Sequence, residues 1–229
     1  IFSTFHGKIE GVILPDQNPS VKTLSSTLEK KYSYKIFEIK NGRIYTDTIN
    51  DTAFILDKKI IKGPSFQLRN TKNASISNNI VFEKGTPKIK KKLNGKIFSL
   101  LTGGAGNTNY WHWLFDVLPR IKILETKMSL REIDYFLFPN LSKKFQTETL
   151  DILEIPNKKR ISSKIFRHIQ TDISVAVDHP YVITNDPSKE IENIPSWLLE
   201  FLKKSFIKNT SPKLPKKIYI DRKKTESHA

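Results

Sequence analysis

The sequence predicts an α/β fold in which a parallel sheet follows a smaller β-rich N-terminal region. Two observations carry this prediction. Between residues 34 and 69, short β-rich segments are separated by the turn signals NG, ND and GP, which is typical of a small antiparallel sheet. From residue 96 onward, strand-like segments alternate with helical ones, and this alternation indicates a parallel sheet.

The predicted elements follow in chain order. Four short strands are expected in the N-terminal region: YKIFEI (34–39), GRIYTD (42–47), TAFILD (52–57) and SFQLR (65–69). A polar connection rich in Asn and Lys is expected over 70–95. The later strands are predicted at KIFSLLT (96–102), DYFLF (134–138), KIFRHI with ISVAV (164–177) and KKIYI (216–220). Helices are predicted at 110–124, 143–153 and 196–207.

The composition excludes several classes of protein. A chain of 229 residues can bury a sizeable core without metal or disulfide support. It has no cysteine, which excludes a disulfide framework, a thiolate nucleophile and a zinc site with sulfur ligands. No apolar run approaches the roughly 18 residues of a membrane span, and the N-terminus lacks the layout of a signal peptide. We therefore expect a cytoplasmic protein, and because the chain begins with Ile1 rather than Met, we expect it to be a fragment.

The chain is strongly basic, with a formal net charge of +16. Such a charge is compatible with a nucleic-acid partner, but the basic residues are spread along the chain and no RNA-binding or zinc-finger signature accompanies them. Two interpretations stay open: a merely solvated basic surface, or attraction to an acidic partner such as anionic lipid, polysaccharide or nucleotide. An anionic membrane surface is thus an expected partner, with peripheral attachment as a second expected location, whereas nucleic acid is not expected.

A polar stripe interrupts the apolar helix predicted after residue 109. Asn109, His112, Asp116 and Arg120 recur at spacings of three and four residues, so they fall within an arc of roughly 80° on a helix. The neighbouring apolar side chains leave little of this helix for water, so the stripe should face a cleft or a polar network. The alternative is structural: an ion pair between Asp116 and Arg120, a hydrogen bond between His112 and Asp116, and a cap at Asn109.

The stripe contains a pair that is suited to general-base catalysis. A carboxylate one turn from a histidine both orients the imidazole and stabilises its protonated form, as Asp116 would do for His112. Pro119 falls well inside the same helix, where it should free the carbonyl of Phe115 and bend the helix.

A Gly-rich turn precedes this helix. Because ligands bind outside the carboxyl ends of parallel strands, Gly103, Gly104 and Gly106 are expected at the functional edge of the sheet. Glycines permit close backbone approach, and free N–H groups at a helix start favour an anion such as phosphate. GGAGNTN is neither a dinucleotide fingerprint nor a P-loop, so a simple tight turn is an equal alternative.

The helix motif also resembles a known family. NYWHWLFDVLPR (109–120) is similar, nearly residue for residue, to the signature of glycosyltransferase family 61, which includes plant xylosyl- and arabinosyltransferases and bacterial proteins of capsular polysaccharide biosynthesis. IPSWLLEFLKKSF (194–206) resembles the family's proline-tryptophan helix. KKIYIDR (216–222) resembles its lysine-rich strand, with Asp221 in place of the family's serine.

The resemblance implies a GT-B architecture, in which the active site lies between two Rossmann-like domains whose parallel sheets carry helices on both faces. Residues 1–85 are then expected to form a β-rich N-terminal region, residues 86–211 an acceptor-side Rossmann-like domain, and residues 212–229 the start of a truncated nucleotide-sugar-binding domain. We accordingly expect the 229-residue chain alone to be inactive.

The resemblance also implies a reaction. The family's members are inverting enzymes that move a sugar from a nucleotide-sugar donor to a hydroxyl of a glycan acceptor, here expected in the synthesis of surface or capsular polysaccharide. His112 is the first choice for the base, and Asp116 is its orienting partner or the base itself. Asn109, Trp113 and Arg120 are expected to line the cleft and to position the acceptor or neighbouring loops.

The donor side and the alternative function complete these expectations. Arg222 and the three glycines of the turn are expected to contact the donor pyrophosphate. No metal and no cofactor is expected, because the sequence lacks the Asp-x-Asp motif with which metal-dependent GT-A enzymes hold their cation. The alternative is a non-catalytic basic module that binds anionic glycan, a membrane surface or nucleic acid.

Overall fold

The computed structural model describes residues 6–46, 51–67, 75–101, 109–181 and 191–207. Within these ranges the strands β1 to β13 are, in chain order, His6–Gly7, Gly11–Ile13, Val21–Glu29, Tyr32–Lys40, Arg43–Thr46, Asp51–Leu56, Lys59–Ile61, Phe66–Gln67, Thr86–Pro87, Lys91–Ser99, Tyr135–Phe138, Arg160–Ser162 and His168–Val177. The helices α1 to α5 are Ile80–Lys84, Tyr110–His112, Pro119–Glu125, Lys144–Ile152 and Ser196–Phe206. A π-helical turn, Trp113–Val117, joins α2 to α3, and we call the continuous segment 110–125 the motif helix.

The motif helix packs against a group of four parallel strands. Their order is β12-β11-β10-β13, so β10 has a parallel neighbour on each side. The run from Ile97 to Leu101 at the end of β10 is almost fully buried, as expected of a strand enclosed by neighbours and covered on both faces. The prediction of a parallel sheet in an α/β fold is confirmed for these strands.

The N-terminal strands extend the same sheet. β13 pairs antiparallel with β4, where Val177 faces Ile36, and antiparallel with β5, where Ile169 faces Ile44. In the part of the chain that the structure describes, eleven strands form one mixed sheet, while β1 and β9 form a separate pair. The N-terminal meander is therefore continuous with the parallel strands through hydrogen bonds to β13.

Helices cover one face of the parallel strands and N-terminal strands cover the other. Side chains of the motif helix, α4 and α5 pack with Phe98 and Phe136 in one core cluster. Ile97 and Leu137, which point to the opposite face, belong to a second cluster whose described members all come from strands and the loops beside them. Helices on both faces, which the family resemblance implies, are therefore not found among the described residues, because the N-terminal strands bury the second face.

The turn at Gly63 shows how closely the N-terminal strands approach that second face. Gly63 has a φ of 106°, and a Cβ atom at this position would lie only 2.9 Å from Cζ of Phe37 in β4. Only glycine satisfies both the positive φ and the contact. The turn after β7 is thereby pressed onto β4.

Two stretches depart from the predicted elements. The expected polar connection 70–95 contains α1, β9 and the first half of β10, because Ile80 and Val81 bury against neighbouring strands in a third core cluster. The strand expected from residue 164 begins only at His168, since Ser162 O accepts hydrogen bonds from two successive amides in a turn. KKIYI (216–220) lies outside the described residues.

In the described ranges, no helix combines the length and the apolar character needed to cross a bilayer.

His168 at the start of β13 makes the stability of the fold depend on pH. Arg43 Nη1 lies 3.2 Å from its Nε2, and Ile89 O lies 3.3 Å from its Nδ1. Because arginine can only donate, Nε2 accepts and Nδ1 carries the proton of a neutral ring. Burial, reinforced by the Arg43 charge, lowers the pKa of His168 to about 4.

We expect the free energy of unfolding to fall by about 1–2 kcal/mol when the pH is lowered from about 7.5 to about 5. The folded-state pKa of His168 lies below its ordinary value of 6.5, so between pH 6.5 and about 4 the unfolded chain binds more protons and stability is lost as the pH falls. Urea unfolding at both pH values measures this loss. His168→Gln keeps an acceptor for Arg43 but does not titrate, so an equally steep pH dependence in that variant would contradict the assignment.

Candidate active site

The chain reverses its direction across the parallel strands between β10 and β13. From β10 the chain continues to β11 and β12 on one side of it, and then returns to β13 on the other side. In open α/β sheets, ligands bind at such a reversal, outside the carboxyl ends of the strands. The motif helix follows β10, and residues 178–181 follow β13, so both segments start at this edge.

The motif helix begins with a side-chain cap. Asn109 Oδ1 accepts hydrogen bonds from the backbone amides of Trp111 and His112, at 2.9 and 3.4 Å. Asparagine is among the favoured residues at this position because it satisfies amides that have no partner within the helix. The structural alternative for Asn109 is therefore realised, and the cap fixes the turn that carries His112.

A π-turn accommodates the proline inside the motif helix. Leu118 N donates to Trp113 O at 3.1 Å, which is a hydrogen bond across five residues, and Pro119 then starts the next α-helical segment. Proline has no N–H and cannot continue the usual ladder, so a widened turn just before it re-satisfies part of the backbone. The predicted irregularity at Pro119 thus takes the form of a π-turn that contains Asp116.

His112 and Asp116 form the central pair of the site. His112 Nδ1 lies 2.7 Å from Asp116 Oδ2. The His112 side chain is 40% exposed, whereas that of Asp116 is 6% exposed. The imidazole is therefore accessible from solvent, whereas the carboxylate that it contacts is buried.

The second oxygen of Asp116 meets the segment after β13. Tyr181 Oη donates to Asp116 Oδ1 at 2.5 Å, and His179 Nε2 lies 3.7 Å from the same oxygen. Burial alone would raise the pKa of the Asp116 carboxyl, but the contacts with His112, His179 and Tyr181 outweigh burial and hold that pKa well below its ordinary value. Asp116 is consequently a buried, ionised acceptor.

Arg120 joins the motif helix to β13. Its Nε donates to Asp116 O at 3.0 Å and its Nη1 donates to Val177 O, the last residue of β13, at 3.2 Å. Burial lowers the pKa of Arg120 to about 10, which still leaves it protonated at neutral pH. The guanidinium therefore acts as a charged clamp inside the protein.

Residues 178–181 are held on several sides. The Lys35 amide donates to Asp178 Oδ2 at 2.7 Å, and Tyr34 Oη donates to Pro180 O at 2.9 Å. Trp197 of α5 donates in turn to Tyr34 Oη at 2.8 Å. Burial raises the pKa of Asp178, while the Lys35 amide and Arg120 act in the opposite direction. The segment is thus a rigid support for Asp116.

The structure corrects the placement of two predicted cleft residues. Trp113 is fully buried, where its Nε1 donates to Thr149 Oγ1 at 2.8 Å and its ring packs against Phe138. The bulky ring fills the core beneath the π-turn and lines no cleft. Arg120 is also buried, and it positions a neighbouring segment rather than lining a surface.

Other predicted site residues lie outside the described residues, namely Gly103, Gly104, Gly106 and Arg222. In the sequence, the three glycines fall between the end of β10 and the start of the motif helix. In the described ranges, no three side chains of His, Cys, Asp or Glu are grouped so that they could hold a metal ion.

Sequence reasoning missed His179 and Tyr181. His179 stands outside any motif, and 63 and 65 residues of chain separate these two side chains from Asp116. A usable signal was the position of DHPY (178–181) directly after the apolar run ISVAV. Polar residues at the carboxyl end of a buried parallel strand are candidates for the functional edge.

The motif helix with Asp116 and the segment with His179 and Tyr181 both fall within a match to a known family. The sequence model of glycosyltransferase family 61 matches residues 110–228, just over half of the chain. No curated protein and no solved structure shows a significant match to the chain. The matched range contains the motif helix, the segment after β13 and α5. The chain therefore belongs to glycosyltransferase family 61, and glycosyl transfer is its general activity.

Proposed function

We propose that this protein is an inverting glycosyltransferase that uses His112 as its general base. The observation that carries the proposal is the hydrogen-bonded series His112–Asp116–Tyr181 at the carboxyl edge of the parallel strands. The donor would be a nucleotide sugar and the acceptor a hydroxyl of a glycan, in the synthesis of a surface or capsular polysaccharide.

The protonation states favour His112 over Asp116 as the base. An ionised carboxylate can only accept, so His112 Nδ1 carries a proton and donates it to Asp116 Oδ2. The tautomer is thereby fixed, and the basic lone pair lies on Nε2. Asp116 has a lowered pKa and a buried side chain, both of which make it a poor proton acceptor for an incoming hydroxyl.

The proposed step is a single displacement. His112 Nε2 takes the proton of the acceptor hydroxyl while that oxygen forms a bond to the anomeric carbon of the donor. The bond from the anomeric carbon to the phosphate oxygen breaks, and the nucleoside diphosphate leaves with the electron pair. Asp116 then faces an imidazolium and stabilises its charge. Attack opposite to the leaving group inverts the anomeric configuration.

The donor is proposed to bind at the same edge. Gly103, Gly104 and Gly106 fall in the sequence between the end of β10 and the start of the motif helix, and backbone amides at a helix start favour phosphate. Arg222 would stabilise the charge of the leaving group. A GT-B arrangement, with a second Rossmann-like domain completing the cleft, agrees with the strand order β12-β11-β10-β13.

The test is nucleotide release coupled to product stereochemistry. The full-length protein is incubated with a panel of nucleotide sugars and oligosaccharide acceptors, and free nucleoside diphosphate is measured. We expect release with one donor class, and release at least about 100-fold slower with His112→Ala. Proton NMR of the product should show the anomer opposite to that of the donor. Retention of configuration would overturn the single displacement, and equal release by His112→Ala would overturn the role of His112.

Replacing Tyr181 by phenylalanine should move the acidic limb of the pH–rate profile. The Tyr181 hydroxyl withdraws charge from Asp116, so its loss strengthens the pull of the carboxylate on the His112 proton. The acidic limb of kcat/KM should therefore move to higher pH. Asp116→Asn removes the charge altogether and should move it to lower pH.

Tyr34→Phe is the matched control for this prediction. Tyr34 is another buried tyrosine that supports residues 178–181, but its hydroxyl bonds Pro180 O rather than Asp116. Its loss should lower stability without moving the acidic limb. Identical limbs in wild type, Tyr181→Phe and Asp116→Asn would show that the network does not tune the base.

A further inference from the structure

A basic surface with two exposed isoleucines lies at the amino ends of β10 and β13. We define it as the amino-edge patch, residues 88–91 (KIKK) and 164–167 (KIFR). The parallel register places Lys91 beside Ile169, so the two segments enter the sheet side by side. The contact between His168 Nδ1 and Ile89 O, at 3.3 Å, ties them together.

The isoleucines of the patch are exposed to an unusual degree. Ile89 is 87% exposed and Ile165 is 78% exposed, which makes them the two most exposed large apolar side chains among the described residues. Phe166 packs against the second core cluster, and two hydrogen bonds to Ser162 O close the turn, so Ile165 is held outward by a rigid support. The patch therefore presents two exposed apolar side chains, one on each of its two neighbouring segments.

The same patch carries five cations and no acidic residue: Lys88, Lys90, Lys91, Lys164 and Arg167. All five are exposed. None of them forms an ion pair with a carboxylate of the described chain. Their charge is therefore available to an external anion.

We infer that the amino-edge patch docks the protein on an anionic lipid bilayer. Lysine and arginine are attracted to the anionic headgroups, and the two isoleucines can enter the boundary between headgroups and acyl chains. A nucleic acid or an acidic glycan could pair with the cations equally well. Neither of them, however, has an apolar interior in which two exposed isoleucines could be buried. The combination of exposed cations and exposed isoleucines therefore favours an anionic bilayer as the partner.

This docking leaves the candidate active site away from the bilayer. The patch lies at the amino edge of the parallel strands and the His112–Asp116 pair lies at the carboxyl edge. The ten residues of β13 span about 30 Å between the two edges. The proposal does not depend on the identity of the reaction, since it concerns binding alone.

Vesicle co-sedimentation tests the inference on the full-length protein. Vesicles of phosphatidylglycerol and phosphatidylcholine are compared with vesicles of phosphatidylcholine alone, at low and high salt. We expect binding to the anionic vesicles that weakens with salt. Ile89→Ser with Ile165→Ser should weaken it about tenfold or more at unchanged charge. Each lysine neutralised in the patch should weaken it about fivefold.

Matched variants separate the patch from general charge and general hydrophobicity. Lys30→Gln with Lys31→Gln removes two exposed lysines from the turn between β3 and β4, near the opposite edge of the sheet. Ile152→Ser removes an exposed isoleucine at the end of α4. Both should bind vesicles like wild type.

Binding to a soluble polyanion decides between the partners. Heparin and duplex DNA serve as probes, and the double isoleucine variant should bind them as wild type does while it loses the vesicles. Absence of wild-type binding to anionic vesicles would overturn the inference. So would equal vesicle binding by wild type and the double isoleucine variant, because the patch would then act only as a polyanion site.

Discussion

Replacement of His112 by alanine is expected to lower kcat about 10²- to 10⁴-fold in the full-length protein, with little change in donor affinity. The reason is chemical: the imidazole of His112 is accessible to an acceptor, and its contact with Asp116 at 2.7 Å fixes its tautomer. The fold should survive, because the His112 side chain is 40% exposed. Single-turnover rates at saturating donor and acceptor measure the effect, and the binding of donor alone provides the comparison.

Asp116→Asn is expected to reduce kcat by less than His112→Ala does. It removes the charge that stabilises an imidazolium but leaves the imidazole in place. If Asp116 were itself the base, the order would reverse and His112→Gln would keep most of the turnover. Lys122→Ala, on a partly exposed position of the same helix, is the control and should be unaffected. A folded double variant, His112→Ala with Asp116→Asn, that keeps near-normal rates would contradict both assignments.

Replacement of Arg120 by methionine is expected to lower the free energy of unfolding by about 3–5 kcal/mol. Methionine preserves bulk but leaves the carbonyls of Asp116 and Val177 without their donor. It also removes the cation that interacts with the buried carboxylate of Asp116 and the half-buried carboxylate of Asp178. Urea unfolding at neutral pH gives the free energy, and kcat should fall as well because residues 178–181 lose an anchor.

Two further substitutions make this result interpretable. Arg131→Met removes an exposed arginine from the turn after the motif helix and should change stability by less than about 0.5 kcal/mol. Arg120→Lys keeps the charge but cannot reach both carbonyls as a planar fork does, so it should give an intermediate loss. If Arg120→Met were as stable as wild type, the clamp would contribute little to the fold.

The features that were predictable from the sequence are those that depend on residues close together in the chain. The apolar runs of β10, β11 and β13 and the periodicity of α4 and α5 are properties of short segments, and the structure has them close to the expected positions. His112 and Asp116 were predictable for the same reason, since four residues of one helix set their distance. The resemblance of the helix motif to glycosyltransferase family 61 added the expected reaction, the transfer of a sugar to an acceptor hydroxyl.

Contacts between distant segments were not predictable from these patterns. The pairing of β13 with β4 and β5 is antiparallel and joins segments more than 100 residues apart, so no local signal announces it. His179 and Tyr181 reach Asp116 only because β10 and β13 are neighbours. Trp113 was expected at a cleft because it belongs to the family motif, yet the π-turn and the core beneath it bury the ring.

The central position of β10 decides what can fold on its own. A chain that started at Tyr110 would keep the motif helix and residues 178–181, but it would lose the strand that separates β11 from β13. It would also lose β4 and β5, the antiparallel partners of β13, and the N-terminal strands that bury the second face. We therefore do not expect the part of the chain that the family model matches to fold on its own. Any shortened version of this protein must retain the N-terminal meander, because it supports the sheet against which the motif helix packs.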